Sequence, residues 1–146
     1  MIESIQKLFL RDLDRLITEI EMYPNNDSLW LKPEGINNSS GTLALHLAGN
    51  LNHFIGAVIG QSGYVRDRDA EFNDRDIPKT DIVNLLKETR TMLSDTFEAK
   101  NDELLGLKYP LEVFGQPITH GEFLIHLLGH LNYHLGQINY HRRLLT

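Results

Sequence analysis

At 146 residues, 41% of them hydrophobic, the chain can build one sizeable core and nothing demands a second, so residues 1–146 are expected to form a single domain. A formal charge of −6 with no dense run of lysine and arginine argues against a nucleic-acid partner. The absence of cysteine excludes disulfides, thiolate zinc sites and a cysteine nucleophile, so any metal must be held by histidine, carboxylate or amide groups.

The N-terminal stretch MIESIQKLFLRDLDRLI mixes charge into its apolar positions, unlike the clean apolar block of a signal peptide. No apolar run approaches the ~18 to 20 residues of a spanning helix. The expectation is a soluble, cytoplasmic protein with no membrane partner. From Ile2 to Met22 the apolar residues Ile5, Leu8, Phe9, Leu13, Leu16, Ile17 and Ile20 follow helical spacing, and Arg11, Asp12, Asp14, Arg15 and Glu19 fill the other side. Pro24, Asn25, Asn26 and Asp27 end this helix. A long connection follows through Pro33, Gly35, Asn37 and Asn38. Trp30, the only tryptophan, lies inside it and is expected to pin the loop onto the helices.

A second helix is predicted from Ser39 or Ser40, either of which can cap it, to about Gly60. His46, Asn50 and His53 share one face. A histidine among Leu43, Leu45, Leu47 and Leu51 needs its ring nitrogens occupied, by a hydrogen bond or by a metal. His53 lies ~10.5 Å further along the axis, too far to join His46 on one ion in a straight helix, and is assigned to the surface or to a hydrogen bond. Gly49, Gly56 and Gly60 here, with Gly129 and Gly136 near the C-terminus, predict the close approach of another helix backbone, within the bundle or across a dimer.

Residues 61–78, QSGYVRDRDAEFNDRDIP, read as a solvated loop; Arg66, Arg68 and Arg75 would receive the carboxylates of an anionic substrate if they turned toward a cleft. A third helix is expected from Thr80 to about Ala99, on the stripe Ile82, Leu85, Leu86, Met92, Leu93 and Phe97. Around Pro110 and Gly115 the segment 101–117 breaks the helical pattern and reads as an extended piece or loose hairpin. Thr119 followed by Glu122 is a capping-box signature that opens a last helix running to Leu145.

That last helix carries His126, His130 and His134 at steps of four. Each residue turns about 100° and rises ~1.5 Å, so an i, i+4 pair can aim two imidazoles at one point. With His130 as the origin, Phe123, His134, Gln137 and His141 fall within about 40° of it. Leu131 follows His130 where a zincin has glutamate, which rules out that protease motif.

Four amphipathic segments, an isolated His46 in HLAGNLNHF, and His130 and His134 in HLNYHLGQI together resemble the DinB-like superfamily, also called YfiT-like metalloenzymes. The resemblance implies an all-α four-helix bundle with long inter-helix loops, holding one divalent metal on His46, His130 and His134. It favours Zn²⁺ or Ni²⁺, with Fe²⁺ and Mn²⁺ as alternatives, and a homodimer. RDRDAEF, Arg66 to Phe72, looks like a motif of one branch of that superfamily. His126 is expected to stand beside the metal as a neighbour. The superfamily includes low-molecular-weight thiol S-transferases, so the resemblance implies a transferase in which a cosubstrate thiol, deprotonated on the metal, attacks an electrophile; Asn50, Gln137, Arg66 and Arg68 would position substrate. The alternatives are a metal-dependent hydrolase, disfavoured because the sequence offers no evident pocket carboxylate as general base, and a non-catalytic metal-binding stress-response protein.

Overall fold

The computed structural model describes residues 1–146 as an all-α protein. In chain order the helices are α1 (Ile2–Glu21), α2 (Asn26–Leu29), α3 (Ser40–Leu51), α4 (Arg68–Asn73), α5 (Lys79–Glu98), α6 (Glu103–Gly106) and α7 (His120–Leu145). Both α1 and α3 pack against α5 and α7, so the four long helices close a ring around one core. Phe9, Leu13, Leu16 and Ile20 of α1 are sealed in it with Leu47 and Leu51 of α3, Leu86, Leu93 and Phe97 of α5, and Leu124, Leu131 and Ile138 of α7. These residues follow the apolar stripes of the sequence, because burying a stripe is what fixes a marginal helix in place. No helix is long and apolar enough to cross a membrane.

The caps explain where the functional helices begin. Ser39 accepts a hydrogen bond from the Thr42 amide and starts α3, while Thr119 and Glu122 form the complete capping box of α7. After Leu51 the second helix does not continue regularly to Gly60. Residues Asn52–Ala57 form a π-helical segment, with the Val58 amide bonded to the His53 carbonyl five residues back. The widened turn leaves the Phe54 carbonyl to accept from the Tyr109 hydroxyl at 2.7 Å. Such bulges re-aim the side chains around them, and Phe54 here lines a cavity beside His46.

Two connections differ from the sequence expectation. The polar run 61–78 is not loop throughout: Asp67 accepts from the Ala70 amide and nucleates α4, which lies against α3 and buries Glu71. Alternating charge concealed a one-and-a-half-turn helix whose inward carboxylate is neutralised by its own neighbour. The segment 101–117 begins with a short helix, α6, that the sequence pattern does not predict, and then runs out and back to a single antiparallel bridge, Lys108 to Thr119, as a loose hairpin would.

The glycines also serve differently from the expectation of close helix backbones. Cβ atoms built at Gly49, Gly56 and Gly60 would meet side chains, those of Glu71, Met92 and Thr96, whereas at Gly129 and Gly136 they would meet nothing within 4 Å. Trp30 does pin its loop: the indole N–H donates to the Ile77 carbonyl at 3.1 Å, and the ring lies so close over Gly41 that a Cβ there would come within 2.6 Å.

Tyr23, just past α1, ties three long helices together. Its buried hydroxyl lies 2.7 Å from Ser40 Oγ at the start of α3 and 2.6 Å from His141 Nδ1 near the end of α7, whose Nε2 donates to the Leu31 carbonyl. Burial pushes the Tyr23 hydroxyl up to about 12, so it stays protonated and donates to His141. Tyr23→Phe strands the His141 acceptor in the interior and is expected to cost about 1–3 kcal/mol, read as a lower midpoint in urea denaturation with helical content unchanged before the transition.

Candidate metal centre

His46 enters from the middle of α3, and His130 and His134 from the middle of α7, where the two helices face one another. The ring centroids of His46 and His130 are 5.0 Å apart, those of His46 and His134 5.4 Å, and those of His130 and His134 4.6 Å, each pair meeting edge to face. One ligand atom from each ring lies within 4.8 Å of the other two, so the group can hold a metal ion. His46 Nε2 and His130 Nε2 are 3.1 Å apart. Two nitrogens bound tetrahedrally to one ion at about 2.0–2.1 Å stand roughly 3.3 Å apart, so this pair already has close to the right separation.

Hydrogen bonding leaves a lone pair on two of the rings. Glu71 shares both oxygens with the Arg66 guanidinium, at 2.8 and 2.9 Å, and accepts at 3.1 Å from His46 Nδ1. A carboxylate so paired has no proton to give, so Nδ1 of His46 carries one and Nε2 keeps its lone pair. At His134, Nδ1 lies 2.7 Å from Gln137 Oε1 and donates to it, which again leaves Nε2 bare. Two of the three rings are thus oriented by a second residue, as metal-binding imidazoles usually are. Nδ1 of His130 is buried without a partner.

The electrostatics disfavour a proton on His46 and on His130. Burial lowers the pKa of His46 in spite of the adjacent Glu71, which acts to raise it. His130 is driven down to about 4, first by burial and then by His134, His46, His126 and Arg66. Neutral imidazoles near pH 7 have lone pairs ready for a cation.

Glu71 is the residue that the sequence reading missed: a carboxylate does stand at the site, against the expectation of none. It lies 25 positions from His46 in a charge-rich run, and the available signal was Gly49, one turn beyond His46. A Cβ at Gly49 would come within van der Waals overlap of the Glu71 carboxylate, so only glycine leaves room for it.

A cavity of about 270 Å³ opens beside the rings, lined by His46, His130, Asn50, Phe54, Arg66, Arg68, Val113, Phe123, His126 and Leu127. Arg66 lies over the Phe54 ring and Arg68 over Phe72. Asn50 Oδ1 is buried without a partner. His126 is packed between the rings of Phe114 and Phe123, outside the converging set. Arg75 turns away and donates to the Phe72 and Asp74 carbonyls. His53, whose pKa burial lowers, rests edge-on against Phe54 and also stays outside.

Residues 4–146 match the model of a family described as a protein of unknown function (DUF1572). A crystal structure of a DinB-like protein from Bacillus cereus ATCC 10987 superposes with a TM-score of 0.77, at 17% identity, over 97% of this chain and 90% of that one. No curated protein is similar enough in sequence to match.

Two outcomes test this geometry. Glu71→Gln and Gly49→Ala, which both disturb the partner of His46 Nδ1, are expected to weaken divalent-ion binding by about 10- to 100-fold in calorimetric titration. In metal-free protein the unfolded chain protonates its histidines near pH 6.5, while folded His130 resists down to about 4. Over that window the unfolded state binds more protons, so stability is full above pH 6.5 and falls as pH drops toward 4. His130→Gln should flatten that loss in denaturant melts recorded from pH 7 to 4.5.

Proposed function

Given that the chain belongs to the family of unknown function DUF1572, within the DinB-like superfamily, we propose that it is a metal-dependent transferase conjugating a low-molecular-weight thiol to an electrophile, with His46, His130 and His134 as ligands of one divalent ion. The observation that carries this reading is the convergence of three imidazoles, two of them oriented by Glu71 and Gln137. An ion held there, Zn²⁺ or Ni²⁺ in first place, would supply Lewis acidity that lowers the pKa of a thiol reaching it.

The chain's own residues provide the rest. With three protein ligands the site is open, unlike a closed structural site with four. Arg68 gives the small cavity a cation suited to a carboxylate of an anionic cosubstrate, while the charge of Arg66 beside it is taken up by Glu71. The free Oδ1 of Asn50 can accept an N–H or O–H from the same molecule. The phenyl rings of Phe54 and Phe123 supply apolar wall to the same cavity.

Glu71 bears on the choice between transferase and hydrolase. It is a carboxylate at the site, but both oxygens are held by Arg66 and one also by His46. A general base needs a free oxygen facing the nucleophile. Glu71 therefore orients His46, and activation of water lacks a proton acceptor of its own.

Protein purified without a histidine tag should carry about one equivalent of divalent metal, lost in His130→Ala. The metal-loaded protein, offered a panel of small thiols with a generic electrophile, should consume thiol and electrophile together. Equal metal in both proteins, or turnover independent of thiol, would refute the reading.

A further inference from the structure

A second and larger cavity, of about 750 Å³, borders His134 between the connection at residues 33–38 and the C-terminal half of α7. We propose that it is the binding site for the uncharged, aromatic or aliphatic body of the electrophilic substrate; this rests on the transferase reading above.

Composition carries the assignment. No lysine, arginine, aspartate or glutamate is among the 14 lining residues. Ile36, Leu43, Tyr133, Tyr140, Leu144 and Leu145 supply most of the surface, and Asn37, Asn38 and Gln137 supply uncharged hydrogen-bonding groups. Tyr133 and Tyr140 stand two turns apart on α7 and are 67% and 63% exposed, and Leu144 is 78% exposed. Large apolar side chains left open around a concavity of this volume mark a small-molecule site, since the hydrophobic effect acts to cover them. A charged ligand would lose its hydration there without compensation.

Position supplies the second argument. His134 and Gln137 line this cavity, while His46 and His130 line the small cationic one. The three rings are in mutual edge contact, so the one histidine group borders two openings of opposite character. A reaction joining an anionic nucleophile to an apolar electrophile needs both reactants at one point while their bodies remain apart. The arrangement meets that requirement.

The cavity can be tested without metal or turnover. Titrated with the uncharged dye N-phenyl-1-naphthylamine, metal-free wild type should show saturable fluorescence enhancement. Ile36→Asp, which places a charge in the apolar wall, and Tyr140→Ala, which removes an aromatic face, should each weaken binding about tenfold; Arg68→Ala should bind as wild type does. Both substituted side chains are at least partly exposed, and circular dichroism confirms folding of each variant. In the metal-loaded enzyme the same two variants should raise KM for an apolar electrophile and leave KM for the thiol unchanged. Absence of saturation, or equal affinity in wild type and both cavity variants, would overturn the assignment. Intact dye binding without thiol-dependent turnover would refute the transferase reading, and with it the electrophile as occupant, and leave the cavity as a site for an uncharged apolar ligand.

Discussion

An imidazole buried in a helical bundle must find a partner for its N–H, and the partner found by His46 determines much of what surrounds it. The acceptor is Glu71, brought from a separate helix and itself buried. An unpaired carboxylate could not remain there, because the cost of desolvating it far exceeds one hydrogen bond. Arg66, five residues earlier, cancels the charge through two parallel bonds. From this chain of requirements follow the folding of Arg68–Asn73 as a helix over α3, the need for glycine at position 49, and the direction of the His46 lone pair into the interior.

The connections between the long helices are thus part of the site. Trp30 fastens the first connection to Ile77 and to the surface of Gly41, which sets residues 33–38 opposite α7. Tyr109, buried just after α6, catches the carbonyl released by the π-helical turn and so fixes the backbone of Phe54, which lines the small cavity. Burial raises the Tyr109 hydroxyl well above its ordinary pKa, so it remains a donor. The bundle sets the separation of α3 and α7, and the short elements decide what surrounds the histidines between them.

Much of this was legible in the residues themselves. The stripes of α1 and α5 placed both helices to within about a residue, and Thr119 with Glu122 marked the start of α7, because these signals are local and depend on periodicity or a single cap. The spacing of His130 and His134 was equally plain. Glu71 was hidden for a different reason. It resembles any acidic residue in a solvated run, and its role comes from a contact across 25 positions that no periodic pattern encodes. The same holds for the π-helical segment, whose extra residue per turn reveals itself only through the hydrogen bonds of Val58 and Gly60. The glycines misled because a helix glycine signals a close approach without naming the atom that approaches. At Gly49 that atom is a carboxylate oxygen, and at Gly129 and Gly136 there is none.

The charge balance at the histidines follows from the same contacts. The chain carries a formal charge of −6, yet the polar groups facing the small cavity are Arg66, Arg68, imidazoles and an amide. Glu71 polarises His46 and strengthens it as a donor to a cation, but its own charge is offset by Arg66. Had Glu71 pointed directly at the ligand atoms, it would have added a negative charge and repelled an anionic cosubstrate. One position removed, it orients the ring and leaves the positive potential of the cavity in place. Three neutral ligands likewise take nothing from the charge of a divalent ion. The histidine group thus faces a cavity without an unpaired carboxylate, within a protein that is acidic overall.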